Sequence, residues 1–225
     1  MRGLRQAREA NDLPFDFAAP DRAAWSWQLA DIDAVINCVG ILVEGAAGSF
    51  LDLHQRGPQT LFAACADASV QRIVQISALG AERADTPYFA SKYETDQFLM
   101  SLPVDWQIVR PSLIYGPDGR SASFFRQLAS LPVLPLPAGG NQPLQPVHID
   151  DLCAAVAALL DPATPACQCL ALVGPAPLTL KQMLLEFRRA MGFAPALCLS
   201  IPAGLMRAGA SLLGHFPGAM LTPDS

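Results

Sequence analysis

Arg72-Ile-Val-Gln-Ile-Ser77, followed a short turn later by Thr86-Pro-Tyr-Phe-Ala-Ser-Lys92, is the stretch that decides the fold. Its first half is a run of β-branched and apolar residues ending in a small polar one, the pattern of a strand covered on both faces. Its second half opens with a threonine that can cap a helix and a proline that can start one. The helix then carries Tyr88 and Lys92 at i and i+4, one above the other, with Thr95 and Leu99 continuing that face. A buried strand, a turn and a helix in that order form the repeating unit of a parallel α/β sheet.

The same alternation extends in both directions. Ala34–Gly40, Trp106–Arg110 and Cys169–Val173 read as further buried strands, and Leu13–Phe17 as a short one. Helices are expected over Asp21–Ala30, Pro58–Ala66, Asp150–Leu160 and Leu180–Met191. The last has Thr179 as cap, Gln182 three residues on and Gly192 past its end. The prolines of Leu131–Pro137 and the glycines after them read as an irregular loop near a change of sub-domain. The fold class expected is a Rossmann-like, doubly wound parallel sheet with a small C-terminal substrate-side lobe. The sheet region covers 1–173, with 111–144 contributing to the lobe, and 174–225 completes it. A cap helix over the substrate cleft is expected within Leu197–Leu221, with a membrane-surface or partner-facing helix as the alternative.

Composition narrows the function classes. The chain has 225 residues, and its 16% charged and 52% hydrophobic content exclude a disordered chain. A net charge of −5 argues against nucleic-acid binding. No window offers the roughly 18 uninterrupted apolar residues of a membrane span, and the first residues lack the apolar core of a secretory signal. Six cysteines without paired spacing read as reduced, mostly buried thiols in a cytoplasmic protein, and no metal cluster is expected.

Ligands of such sheets bind beyond the carboxyl ends of the strands, here Asn37–Gly40, Ser77–Leu79 and Arg110–Tyr115. A phenol titrates near 10, and an ammonium one helical turn away is expected to lower that value, bringing Tyr88 closer to general acid–base use. Ser77 can bond the same substrate oxygen, and Lys92 can also hold a ribose hydroxyl. These groups suit proton transfer at an alcohol or carbonyl while hydride moves to or from a nicotinamide. His54 reads as a solvated helical residue and His148 as a structural hydrogen-bonder. Trp25 and Trp27 read as packing residues, and Arg110 as either an ion-pair partner or a substrate contact.

The chain resembles the extended or atypical short-chain dehydrogenases/reductases of the NAD-dependent epimerase/dehydratase type. The likeness is closest to the branch with the nucleotide-binding accessory subunit of respiratory complex I and bacterial nucleoside-sugar-epimerase-like proteins. The matching stretches are Asp33–Ile41, Gln75–Ala81, Tyr88–Lys92, Ile108–Pro117 and Gln145–Leu152, within a resemblance that covers 13–192. It implies Tyr88 as catalytic acid/base, Lys92 as its helper and ribose ligand, and Ser77 beside them. Asn37, Cys38, Val39 and Gly40 would line the adenosine and ribose side of NAD or NADP. Ile76 and Ser77 would flank the nicotinamide ribose, and Pro111, Ser112, Leu113 and Ile114 would run along the nicotinamide. Asp16 and Phe17 would meet the adenine, and His148 and Asp151 would shape the edge of the substrate pocket. The substrate implied is a sugar nucleotide or another small alcohol or carbonyl compound; the alternative is a non-catalytic nucleotide-binding or assembly protein of a membrane complex, or an inactive truncated form.

The sequence departs from that family at its front. Gly40, Gly45 and Gly48 lack the family's phosphate-binding spacing, and the first 12 residues cannot hold a strand, turn and helix. Roughly 40 to 50 residues with the first strand and glycine-rich turn are expected to be missing. Dinucleotide binding by this truncated chain is therefore expected to be weak or absent. Membrane association would come through a missing C-terminal extension. Neither oligomeric state nor NAD against NADP is legible.

Overall fold

The structure is a computed structural model that describes residues 2–4, 12–117 and 119–202. In chain order its elements are β1 (Arg2–Leu4), β2 (Asp12–Pro14), α1 (Arg22–Gln28), β3 (Ala34–Asn37), and a π-helical turn, Leu51–Arg56, running into α2 (Gly57–Asp67). Then come β4 (Arg72–Ile76), a 3₁₀ turn at Ala81–Arg83, α3 (Pro87–Met100), β5 (Asp105–Pro111), β6 (Ile114–Tyr115) and α4 (Arg120–Ser130). After them lie β7 (Val133–Pro137), a 3₁₀ turn at Ala138–Gly140, β8 (Pro143–Leu144), β9 (Val147–His148) and α5 (Ile149–Leu159). The chain closes with β10 (Gln168–Leu172), β11 (Leu178–Thr179), α6 (Leu180–Ala190) and β12 (Leu197–Ile201). They divide into two compact units, residues 1–110 with 155–171, and residues 111–154 with 172–225.

The first unit is an α/β layer structure. Its four-stranded sheet runs β10-β5-β4-β3, and β3/β4 and β4/β5 pair in parallel. The sheet thus has the Rossmann-like character expected from the buried strand patterns. β4 is its centre, with Arg72, Ile73, Val74 and Gln75 all buried. β3 is an edge in this sheet and leaves Ile36 41% exposed. β1 and β2 form a separate parallel pair. The core gathers Phe17, Trp25, Leu61, Phe62, Ile73, Leu99 and Ile108. Trp25 packs at a tilt against Phe15 and Phe17, whereas Trp27 is 83% exposed.

Local signals explain the helices. Asp21 caps α1 and Thr86 caps α3 with Pro87 at its first position. Thr179 and Gln182 form the capping box of α6. In the second unit α4 and α6 pack on Leu134 and Leu136 of β7, which pairs in parallel with β12. Two expectations are corrected here. The Pro-rich stretch is a strand, because β7 needs ladder bonds on one side only and alternates Leu134 and Leu136 inward. Leu197–Ile201 is a strand and not the start of a cap helix; 203–225, which include the rest of that expectation, lie outside the described residues. The cysteines also differ from expectation: Cys65 is buried, but Cys38, Cys153, Cys167 and Cys169 are exposed. Among the described residues, no helix is long and apolar enough to cross a membrane.

Arg72, at the start of β4, ties the end of α5 and the turn after it to the sheet. Its guanidinium donates to the backbone oxygens of Leu159, Asp161 and Thr164. Arg72→Met should therefore lower the unfolding free energy by about 2–4 kcal/mol, since buried acceptors lose charged donors. Urea unfolding of the two proteins measures the difference.

Candidate active site

The site is built on a helix whose inward face is polar. Ser91, Lys92, Thr95 and Asp96 of α3 are all buried, with Leu99 one turn on. Such a face cannot be held by apolar burial alone, so each polar group must find a partner. Lys92 Nζ donates to the carbonyl of Val39 at 3.4 Å and to that of Ile76 at 3.3 Å. The lysine thus sits at the carboxyl ends of β3 and β4, where parallel strands present backbone oxygens. Gly40 leaves it room: a Cβ there would stand 3.0 Å from Lys92 Nζ and 3.4 Å from His54 Nε2.

His54 is the residue sequence reading missed. It is buried, not solvated, and its ring links three segments. The Ile41 N–H donates to Nε2 at 3.0 Å, so Nε2 is unprotonated and the ring proton is on Nδ1. Nδ1 then donates to Ser91 Oγ at 2.9 Å, and Ser91 Oγ donates to the Tyr88 carbonyl at 2.8 Å. Thr95 Oγ1 donates to the His54 carbonyl. Burial first, then the Lys92 ammonium, pushes the imidazole pKa down to about 3. The polar run Asp52-Leu-His-Gln-Arg56 hides this role; the π-helical turn that carries it leaves no mark in the sequence.

Tyr88 packs edge-on to Phe50, His54 and Phe89. Burial raises its phenol pKa, the reverse of the lowering expected from Lys92. The reason is local: the Lys92 ammonium is turned onto the Val39 and Ile76 carbonyls, and desolvation of the phenol stands unopposed. Burial likewise lowers Lys92 to about 8, opposed by the charges of Asp96 and Cys38. Ser77 Oγ donates to Asp96 Oδ2 at 2.8 Å. Arg110 is an ion-pair partner: Nε and Nη2 donate to Asp96 Oδ2 at 3.1 and 3.0 Å, and Nη1 donates to Glu82 at 2.9 Å.

Among the other residues singled out from the sequence, Asn37 is buried, donates to Gln75 Oε1 at 2.7 Å and accepts from the Val39 N–H at 3.1 Å. Cys38 and Val39 are exposed at the tip of β3. Asp16 accepts from the Ala18 N–H in a turn, and Phe17 fills the core against Gly57. Pro111, Ser112, Leu113 and Ile114 belong to the second unit, where Ser112 donates to the Leu172 and Gln145 carbonyls and Leu113 accepts from Val147. There too His148 Nδ1 accepts from the Asp150 N–H at 3.2 Å, beside exposed Asp151. The helix that follows Gly48 is already capped: Phe50 N–H donates to Glu44 and Asp52 N–H to Ser49 Oγ, with the Asp52 carboxylate in its first turn. Two carboxylates at that N-terminus repel a pyrophosphate.

Comparison with known proteins places the family and the fold. Residues 5–127, more than half of the chain, match the sequence profile of the NAD(P)H-binding family. The chain belongs to that family. It is 28% identical over 144 residues to the mitochondrial 40 kDa subunit of NADH-ubiquinone oxidoreductase from Neurospora crassa, a match covering 64% of this chain and 38% of that one. The solved structure of MoeE5 in complex with UDP-glucuronic acid and NAD superposes with a TM-score of 0.72 at 16% identity, covering 89% of this chain and 76% of that one. UDP-N-acetylglucosamine 4-epimerase from Bacillus cereus gives 0.69 at 19%, covering 88% and 75%. The fold is that of these solved structures, a Rossmann-like α/β arrangement with a parallel sheet.

His54 should leave a mark on stability against pH. Its folded pKa lies below its unfolded value near 6.5, so the unfolded state binds the extra proton as pH falls. Its contribution is complete above about 6.5 and is lost at about 1.4 kcal/mol per unit below that, towards pH 3. Denaturant unfolding between pH 4 and 6.5 should show His54→Gln with a slope shallower by about one proton.

Proposed function

We propose that this chain carries the catalytic residues of an NAD(P)-dependent oxidoreductase or epimerase acting on a sugar nucleotide or another small alcohol or carbonyl compound. The observation that carries the reading is Lys92, a buried ammonium on the strand-tip carbonyls of Val39 and Ile76 one helical turn from Tyr88. The nicotinamide would supply the hydride acceptor or donor. Lys92 would hold the adjoining ribose, and Ile76 would flank it. Tyr88, kept protonated by burial, is suited to give its proton to a carbonyl oxygen as reduction proceeds, and to take it back in the reverse direction. With its own proton on Asp96, Ser77 would accept from the hydroxyl of the alcohol form of the substrate. The sugar nucleotide as substrate draws support from the ligand named in the MoeE5 structure.

A second reading has its own observations. The match to the oxidoreductase subunit spans 38% of that relative's length, and the Ser77 hydroxyl proton is committed to Asp96. A nucleotide-binding or assembly subunit of a membrane complex would need the fold and the Lys92 seat without turnover.

The two readings separate on catalysis. In the enzyme, Tyr88→Phe should lower turnover of a UDP-sugar with NAD by about 10²-fold; unchanged turnover removes Tyr88 from the mechanism, and no turnover with nucleotide binding retained favours the subunit. The described residues offer Lys92 to the ribose but no glycine-rich turn to the pyrophosphate. Losing several charge-assisted bonds at about 1.5–3 kcal/mol each takes a micromolar site past the millimolar range. Isothermal titration of residues 1–225 with NADH and NADPH should therefore give millimolar or weaker binding; a low-micromolar constant would overturn this.

A further inference from the structure

One helical turn beyond Lys92, and on the same buried face, lies a charge cluster that the reading above leaves without a role. Asp96 is completely buried. Its Oδ2 takes three donors, from Ser77 Oγ and from Nε and Nη2 of Arg110, while its buried Oδ1 has no hydrogen-bond partner. Arg110 is not Asp96's alone, since Nη1 donates to Glu82. Two carboxylates therefore share one guanidinium, and the cluster carries one uncompensated negative charge. Lys92 supplies the matching positive charge from four residues away on the helix.

We propose that Asp96 is the buried counter-charge that holds Lys92 as an ammonium beside Tyr88. The surroundings of Lys92 leave few other candidates. The elements against it bring two neutral carbonyls, the neutral ring of His54 from the π-helical turn and the thiol of Cys38 from the tip of β3; its own helix brings the neutral phenol of Tyr88 and the carboxylate of Asp96. Around Asp96, β5 brings Arg110 and the 3₁₀ turn brings Glu82, with Cys169 of β10 close to Arg110. Neutral carbonyls orient an ammonium, but a buried cation needs a compensating charge to remain charged. Asp96 is thus a positioning and charge-setting residue for the ribose-binding lysine. It acts through Lys92 and touches no ligand; burial raises its carboxyl pKa, and the bonds from Ser77 and Arg110 oppose that rise. The proposal deepens the site reading above and rests on Lys92 being its ammonium.

The test reads Lys92 directly and needs no cofactor. The rate of acylation of Lys92 by a small amine reagent is followed by peptide mass spectrometry across pH 6–10 in the full chain. Asp96→Asn should move the labelling midpoint down by about one pH unit or more. Glu82→Gln, at an exposed position, returns Arg110 wholly to Asp96 and should move the midpoint the same way by a smaller step. An unmoved midpoint in Asp96→Asn that retains the wild-type circular dichroism overturns the proposal. Should that variant fail to fold, Glu82→Gln decides: a lowered midpoint supports the counter-charge and an unmoved one refutes it. NADH binding followed up to millimolar concentrations over the same pH range tests the reading of the site separately, because a chain that binds no nucleotide keeps the same labelling midpoint.

Discussion

Burying an ammonium is the constraint around which the first unit is arranged. Lys92 lies on an inward helix face, and an unpaired charge there would cost more than the packing of the helix returns. Parallel strands answer part of the need, since β3 and β4 both end with backbone oxygens pointing past the sheet. The rest follows from keeping the neighbours electrically quiet. The ring of His54 is fixed as a neutral tautomer by a donor on one side and an acceptor on the other. A protonated ring there would break the bond from Ile41 and repel the lysine.

The same constraint explains why α3 looks unremarkable as an amphipathic helix. Its inward residues are Ser91, Lys92, Thr95 and Asp96, each held by a specific bond, so the helix is docked by geometry more than by area. Polar docking of this kind fixes one register. A one-residue slip of the helix would strand four buried polar groups at once.

The legible and illegible parts of this molecule divide by range. Caps at Thr86 and Thr179, and the apolar runs of β3, β4 and β5, are local and were readable as such. The pairing of Tyr88 with Lys92 on one face was readable from spacing. What their environment does to them was not, because it comes from distant segments: Val39 reaches Lys92 across 53 residues, and Ser91 reaches His54 across 37. His54 sits in a polar pentapeptide that looks solvated, and contacts with Ile41, Phe50, Tyr88 and Ser91 bury it. β7 was hidden by its prolines, which signal irregularity in a sheet interior but are tolerated where a strand has one partner. The nucleotide-binding class was legible in the local motifs, and the match over residues 5–127 agrees with it.

Gly40 is small because Lys92 and His54 occupy the space a side chain would take. Its backbone is not in the left-handed region, so the requirement is purely for room. That ties two positions far apart in the chain into one choice. A relative that keeps lysine at the position of Lys92 must keep the position of Gly40 bare. A relative that has lost the lysine is released and can drift to alanine or serine there. The residue opposite Gly40 in any related sequence is thus a fingerprint of whether the ammonium is still housed, readable where no chemistry has been assayed.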